Sequence, residues 1–320
     1  VEQSVVLDYN EKWKSNYKGD IMKKSLIIML LLAAFLATGC SSKNSVQNNT
    51  SKNSAQNTTT SGTQNTTNSS TAQTGTSTSA STEKSTKPTT GLTYTVHGVP
   101  VLMYHSIGVE EGNPIKMPAE QFDAEMKYIK DQGYTTLTMD ELYNYFENSV
   151  PIPDKSVVIT LDDGYVDNYT GAFPILKKYG LKATIFMITS AVDTNPGFLT
   201  SAQLQEMEKY GIEIESHTVT HPDLDTLSYS KQLSELTESK AALEKILGRT
   251  VEYVAYPTGK YNDDTLKAVK AAGYKMAFTT NGRWSDKSDG ILTLDRVYVS
   301  TFHSMSVFNT RLTNPNYPIN

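Results

Sequence analysis

The chain has 320 residues, 29 Lys and Arg against 34 Asp and Glu, a net charge of −5 and a single cysteine. One cysteine excludes an internal disulfide and any thiolate metal cluster. From residue 94 onward there are 20 basic and 29 acidic side chains, nine net negative charges, which argues against a nucleic-acid partner and points weakly to a neutral or cationic substrate.

In chain order, the first signal starts at Met22. Met22-Lys23-Lys24 is a basic end, Ser25 to Ala37 an apolar run, and Ala37-Thr38-Gly39-Cys40 closes the segment with small residues. This is the layout of a secretory signal, and the apolar run falls short of the ~20 residues of a membrane-spanning helix. The closing tetrapeptide resembles a bacterial lipobox, with Ala37 where leucine is commoner. Residues 22–39 are therefore expected to be a lipoprotein signal peptide that is cleaved off, and Cys40 to carry lipid that anchors the protein at the extracellular face of a bacterial cell membrane. Lipidation also accounts for a lone cysteine in a secreted chain. Residues 1–21 are expected to be an upstream extension outside the natural protein, because Tyr17-Lys18-Gly19-Asp20 can be encoded by a purine-rich ribosome-binding sequence ahead of a start at Met22.

Residues 40–93 are dominated by Ser, Thr, Asn and Gln. Such a segment cannot bury enough apolar surface to offset chain entropy and is expected to be a disordered tether. Its root-mean-square span would be roughly 40 Å, enough to let a folded domain reach into a cell wall.

Residues 94–320 read as one α/β domain, expected to be monomeric. Strand-like runs are Val99–Tyr104, Thr135–Leu137, Ser156–Leu161, Ala183–Ile188, Ile212–Glu215, Val251–Tyr256, Lys275–Thr279 and Leu294–Val299. Most are continuously apolar, as in strands buried on both faces. Between them the helices have recognisable ends. Phe122, Met126 and Ile129 recur at helical spacing before Gly133, and Thr138 with Glu141 forms a capping box. Asn168–Tyr179 stops at Gly180, Thr200 caps a helix ending at Gly211, Ser228 opens a long one ending at Gly248, and Asn262 caps another closing at Gly273. Strand–helix alternation implies a parallel sheet, open or closed into a barrel. No GxGxxG or phosphate loop occurs, which disfavours a nucleotide.

The polar candidates follow strand ends, where a parallel barrel places its site. His105 follows Val99–Tyr104, Asp162 and Asp163 end the run from Ser156, His217 follows Ile212–Glu215, and Pro257 follows Val251–Tyr256. His217 and His221 have the spacing of a metalloprotease helix, but Thr218 stands where that motif needs Glu. Pro222 also disfavours a helical His221, so a tight turn leaving the strand is expected. Zinc sites of catalytic type commonly use three protein ligands. Two histidines with one of the paired aspartates would complete such a set, leaving the other aspartate to take a proton from a water whose pKa a metal lowers to ~7.

TLDDG at 160–164, SHTVTH at 216–221 and AYPTG at 255–259 together resemble the first three motifs of the polysaccharide deacetylase family, the NodB-homology domain of carbohydrate esterase family 4. Val101-Leu102-Met103-Tyr104-His105 is similar to the opening motif of the branch acting on poly-N-acetylglucosamine. The resemblance covers most of residues 99–300. It implies a distorted (β/α)7 barrel and one divalent metal ion, zinc first, with cobalt, nickel or iron as substitutes. Asp163, His217 and His221 would be the ligands, Asp162 the general base, and the Thr258 N–H an oxyanion donor. The late Leu-x-His acid of most members is matched poorly by Thr301-Phe302-His303. In the branch resembled here the opening histidine takes that role, so His105 is the expected acid, with His303 or water the alternatives.

Three departures matter. Leu161 replaces a usual Phe. Ala255 stands where many members have an arginine that orients the base, with Arg296 a candidate replacement. No clear Asp-x-x-Asp-Trp element is present. Trp284 is a candidate sugar platform, although core or loop packing is the commoner use of such a residue. The expected activity is removal of N-acetyl groups from a β-linked aminosugar polymer such as peptidoglycan or poly-N-acetylglucosamine. The alternatives are an O-acetyl esterase of acetylxylan type, or a glycan-binding lipoprotein that has lost catalysis.

Overall fold

The computed structural model describes residues 92–93 and 98–319. The expectations for residues 1–21, the signal at 22–39, Cys40 and the body of the tether lie outside the described residues. Leu92–Thr93, assigned above to the end of the tether, instead pairs antiparallel with Ile152–Pro153. Among the described residues no helix is long and apolar enough to cross a membrane.

Seven parallel strands form the main sheet: β1 (Val101–Tyr104), β2 (Ser156–Asp163), β3 (Ala183–Met187), β4 (Ile212–Ser216), β5 (Tyr253–Ala255), β6 (Met276–Phe278) and β7 (Val297–Tyr298). Their spatial order is β7-β1-β2-β3-β4-β5-β6, and Thr135–Thr136 adds a short parallel pairing to the start of β2. Leu294, just ahead of β7, bridges Phe278 of β6 in parallel. The segment entering the last strand therefore touches one edge of the sheet while β7 itself pairs with the other, giving a curled, distorted (β/α)7 barrel.

The central strands form because their sequences are apolar on both faces. All eight residues of β2 and all five of β3 are buried, the arrangement that parallel sheets covered by helices demand. The helices are α1 (Ala119–Asp131), α2 (Met139–Asn148), α3 (Phe173–Tyr179), α4 (Ser201–Lys209), α5 (Tyr229–Leu247), α6 (Asp263–Ala271) and α7 (Met305–Thr313). On α1, Phe122, Met126 and Ile129 are fully buried, the face their spacing predicts. Capping boxes start α2 at Thr138, α4 at Thr200 and α6 at Asn262. Each satisfies two backbone donors that the helix start would otherwise leave unpaired.

Several boundaries differ from expectation. β5, β6 and β7 are shorter than their apolar runs, although flanking residues such as Tyr256 and Val299 still hydrogen-bond to the neighbouring strands. The helix expected over Asn168–Tyr179 begins with a π-turn at Asn168–Ala172 before α3. α7 has no counterpart among the expected elements.

Candidate metal centre

Because the strands are parallel, the segments leaving β1, β2, β4 and β5 share one face of the barrel. Register aligns Asp163 of β2 with Met187 of β3, and Met187 with Ser216 of β4. Asp163 and His217 thus flank Met187, and the His217 N–H donates to the Met187 carbonyl at 3.0 Å. Gly164 turns the chain directly after the aspartates at φ 79°.

The HTVTH segment is a turn, as Pro222 implied. Thr218 and His221 have φ values of 67° and 57°. The Thr218 hydroxyl accepts from the His221 N–H at 3.1 Å. Glu235 of α5 accepts from the N–H groups of Val219 and Thr220 at 2.8 and 2.9 Å. Four non-glycine residues of this face, Asp163, Thr218, His221 and Thr258, are left-handed, each at a cost of about 1–2 kcal/mol. Strain of that size persists only where surrounding contacts enforce it.

Asp163, His217 and His221 converge. His217 Nε2 and His221 Nε2 each lie 3.5 Å from Asp163 Oδ1, and one donor atom from each residue falls within 4.8 Å of the others. Ligands about 2.0–2.2 Å from a tetrahedral cation are separated by about 3.3–3.6 Å, so this spacing fits one ion. The donor chemistry fits as well. His217 Nδ1 is hydrogen-bonded to the Ala255 carbonyl at 2.8 Å; as the donor there, it leaves Nε2 as a lone pair facing the cluster. Burial pushes both imidazoles down to about 4, so both are neutral at pH 7, as ligands must be. Burial raises the Asp163 carboxyl, and a bound cation would reverse that shift.

Asp162 sits in the opposite environment. Burial alone would raise its carboxyl, but the Arg296 guanidinium, followed by His217, outweighs burial and holds it well below the usual carboxylate range. Since His217 is itself held neutral, Arg296 is the cation that matters. Arg296 is fully buried, and its Nη1 and Nη2 donate to Oδ1 and Oδ2 of Asp162 at 2.7 Å each. Asp162 Oδ2 lies 4.0 Å from His217 Nε2, so the free carboxylate borders the cluster without joining it.

His105 leaves β1 on the same face. It is an electrostatic neighbour of Asp162, Asp163 and His221, and its buried Nδ1 has no partner among the described residues. His303 is engaged elsewhere: its Nδ1 accepts from the Ser300 N–H at 3.2 Å and its ring meets Tyr298 edge-on. Pro257 is buried and opens the turn that presents Thr258. Trp284 is not brought to this face. Its Nε1 donates to the Arg311 carbonyl at 2.7 Å, beside a cavity of about 210 Å³ lined by Pro100 and Ser156 where β1 and β2 begin. It packs at the opposite end because the indole N–H finds a buried acceptor there.

Three supporting residues were not singled out from the sequence: Asp167, Asn168 and Asp223. The signal for Asp167 was its place four residues after the paired aspartates; for Asp223, its place two after His221.

A curled parallel barrel with a buried Asp-His-His cluster, and a separately held carboxylate at its strand ends, defines a barrel protein of hydrolase type with a candidate metal centre. A family profile for polysaccharide deacetylase matches residues 149–277. The Bacillus subtilis protein YxkH, which carries the provisional name of a polysaccharide deacetylase, is 42% identical over 210 residues, covering 66% of this chain and 74% of the relative. A Staphylococcus aureus poly-beta-1,6-N-acetyl-D-glucosamine N-deacetylase is 32% identical over 196 residues, covering 56% of this chain and 66% of the relative. The solved Streptococcus pyogenes deacetylase PplD, in complex with acetate, superposes with a TM-score of 0.65 at 35% identity, covering 67% of this chain and 98% of that one. The chain belongs to the polysaccharide deacetylase family.

Proposed function

We propose that the chain hydrolyses N-acetyl groups on a β-linked aminosugar polymer of the peptidoglycan or poly-N-acetylglucosamine kind. The observation that carries this reading is the contrast between two adjacent aspartates: Asp163 lies 3.5 Å from two neutral imidazoles, while Asp162 is kept ionised and apart by Arg296. Likeness to a poly-N-acetylglucosamine deacetylase supports the choice of substrate.

Asp163, His217 and His221 would hold one divalent cation, with zinc favoured by the nitrogen-rich donor set. When bound, such a cation lowers the pKa of water and polarises a carbonyl. Asp162 accepts a proton from the water that attacks the acetamide carbon. The Thr258 N–H donates to the carbonyl oxygen as it gains charge, an interaction of a kind typically worth about 3–4 kcal/mol. His105 gives a proton to the departing nitrogen as the C–N bond breaks, leaving a free amine on the sugar and acetate in solution. Arg296 makes Asp162 a weaker base, but one that is ionised at every working pH and fixed in direction.

Ala255 and the unclear Asp-x-x-Asp-Trp element gave the reasons to consider a protein that binds glycans without turnover. The Arg296 guanidinium, reaching Asp162 from the segment before β7, answers the first of these. The test is acetate release from N-acetylglucosamine oligomers, peptidoglycan and acetylxylan, with metal stripped and restored. Asp162→Asn is expected to abolish turnover and still bind metal. Unchanged turnover in that variant, or release from acetylxylan alone, would overturn the reading.

We further propose that Cys40 is lipidated and that residues 40–91 tether the domain at the outer face of the cell membrane. Cys40→Ala should then move the protein from the membrane fraction to the medium; retention at the membrane would end this proposal.

A further inference from the structure

Thr258 is a β-branched residue at φ 58°, ψ 8°, a conformation in which such residues are outliers. Its N–H makes no hydrogen bond to any described residue, whereas the next two, of Gly259 and Lys260, are used by the carbonyls of Tyr256 and Pro257 at 2.9 and 3.3 Å. The turn therefore exposes one donor, at its most strained residue. Something must hold Thr258 there.

The contacts on its side chain answer that. Thr258 Oγ1 donates to Asp223 Oδ1 at 2.7 Å, and Asp223 Oδ2 accepts from Lys260 Nζ at 3.2 Å. Asp223 is only 8% exposed and lies two residues beyond His221, so its carboxylate ties the loop leaving β4 to the loop leaving β5. The Thr258 carbonyl accepts from Thr280 Oγ1 at 3.3 Å. Gly259 is also left-handed, and a Cβ there would fall 2.2 Å from Thr280 Oγ1, so the residue after Thr258 must be glycine.

We propose that Asp223 is a positioning residue for the oxyanion donor: its carboxylate fixes Thr258 in the left-handed turn, so that the freed N–H faces the reacting carbonyl. This rests on the reading of Thr258 as that donor. It assigns Asp223 a role distinct from the metal ligands beside it, although the charge of Asp223 also reaches His221.

The full-length protein is compared with Asp223→Ala, Asp223→Asn, Thr258→Gly and the Asp223→Ala/Thr258→Gly double variant. The readouts are kcat and KM on an N-acetylglucosamine oligomer, zinc affinity by chelator competition, and denaturant unfolding. Asp223→Ala is expected to lower kcat by tens-fold, with KM and zinc affinity held within about twofold. Glycine adopts the left-handed turn without the penalty of a side chain, so adding Thr258→Gly should restore roughly tenfold of that loss. Asp223→Asn keeps an acceptor for the hydroxyl and should lose several-fold less than Asp223→Ala, a comparison that still decides if the alanine variant does not fold. No recovery in the double variant, or zinc affinity falling in step with kcat, overturns the proposal. Absence of acetate release by the unaltered protein would instead remove the deacetylase reading on which it stands.

Discussion

Arg296 grips Asp162 with both arms of its guanidinium, each N–O distance 2.7 Å, across 134 positions of sequence. Its Nε also donates to the Thr279 carbonyl at 3.0 Å, its Nη1 to Thr160 Oγ1 at 3.2 Å, and its plane lies 5.5 Å from the centre of the Phe186 ring. The pair is buried, and four hydrogen bonds hold the guanidinium.

Removing one member of such a pair strands the other, which typically costs about 3–5 kcal/mol. Arg296→Met should lose stability of that order at pH 7 in urea unfolding. The sign with pH follows from the depressed carboxyl of Asp162: its contribution is complete above the ordinary carboxylate range and fades as the pH falls below that range. The gap between Arg296→Met and the parent should therefore narrow at acid pH. Arg296→Lys keeps a charge but loses the two-pronged geometry, and kcat is expected to drop ten- to hundredfold with metal still bound. A lysine variant with parental kcat would show that direction at Asp162 does not matter.

A second relationship links the two ends of the proposed proton path. Asn168 Nδ2 donates to the His105 carbonyl at 2.7 Å, while Asp167 accepts from Ser106 Oγ at 2.5 Å and from the Ile107 N–H at 3.0 Å. The segment that leaves β2 with Asp162 and Asp163 thus also clamps the loop carrying His105. Asn168→Ala or Asp167→Ala should lower kcat by roughly ten- to hundredfold at nearly constant zinc affinity. His105→Ala placed on either background should then add little, because groups acting as one unit are not additive. Fully additive losses would place the clamp outside the reaction.

Much of this was legible in local sequence. Continuous apolar runs marked the buried strands, Ser, Thr or Asn caps marked helix starts, and Pro222 ruled out a helix at His221. What stayed hidden depends on contacts across the chain. Arg296 was a candidate for the missing arginine, but its Leu-Asp-Arg-Val run says nothing local about the reach to β2 that the structure shows. Trp284 offered no clue to which barrel end it faces; an acceptor on α7 decides that, and α7 was itself missed. Its buried set is only Phe308, Arg311 and Leu312, with Met305 and Val307 exposed, too thin a stripe to read as a period. Asp223 looks like a loop residue, and Asn168 like the start of a helix, until the loops they brace are known.

Gly164 shows why the paired aspartates are followed by glycine. It has φ 79°, and a Cβ would fall 2.0 Å from Met187 Sδ and 2.9 Å from Cε. Gly164→Ala combines a left-handed penalty of about 1–2 kcal/mol with overpacking of about 1–3 kcal/mol. Denaturant unfolding should show a loss of about 2–5 kcal/mol, accompanied by weaker zinc binding because Asp163 is the preceding residue. A loss under about 1 kcal/mol would mean that Met187 swings aside freely and does not support the turn.

The last expectation concerns how metal uptake depends on pH. An ordinary histidine has a pKa near 6.5, so a solvent-exposed pair at pH 5.5 would be about nine-tenths protonated at each ring, and zinc affinity would fall about a hundredfold from its neutral value. Here burial holds His217 and His221 neutral down to about 4, so protons do not compete for either ring between pH 7.5 and 5.5. Zinc affinity measured by chelator competition should change by less than about threefold over that interval. The same shifts act on metal-free protein with a definite sign. Their folded values lie below the unfolded one, so the unfolded chain binds more protons between about pH 6.5 and 4, and stability must fall as the pH drops through that window. A hundredfold loss of zinc affinity by pH 5.5, with metal-free stability flat to pH 4, would mean that the imidazole pair is open to water and not the dry site described above.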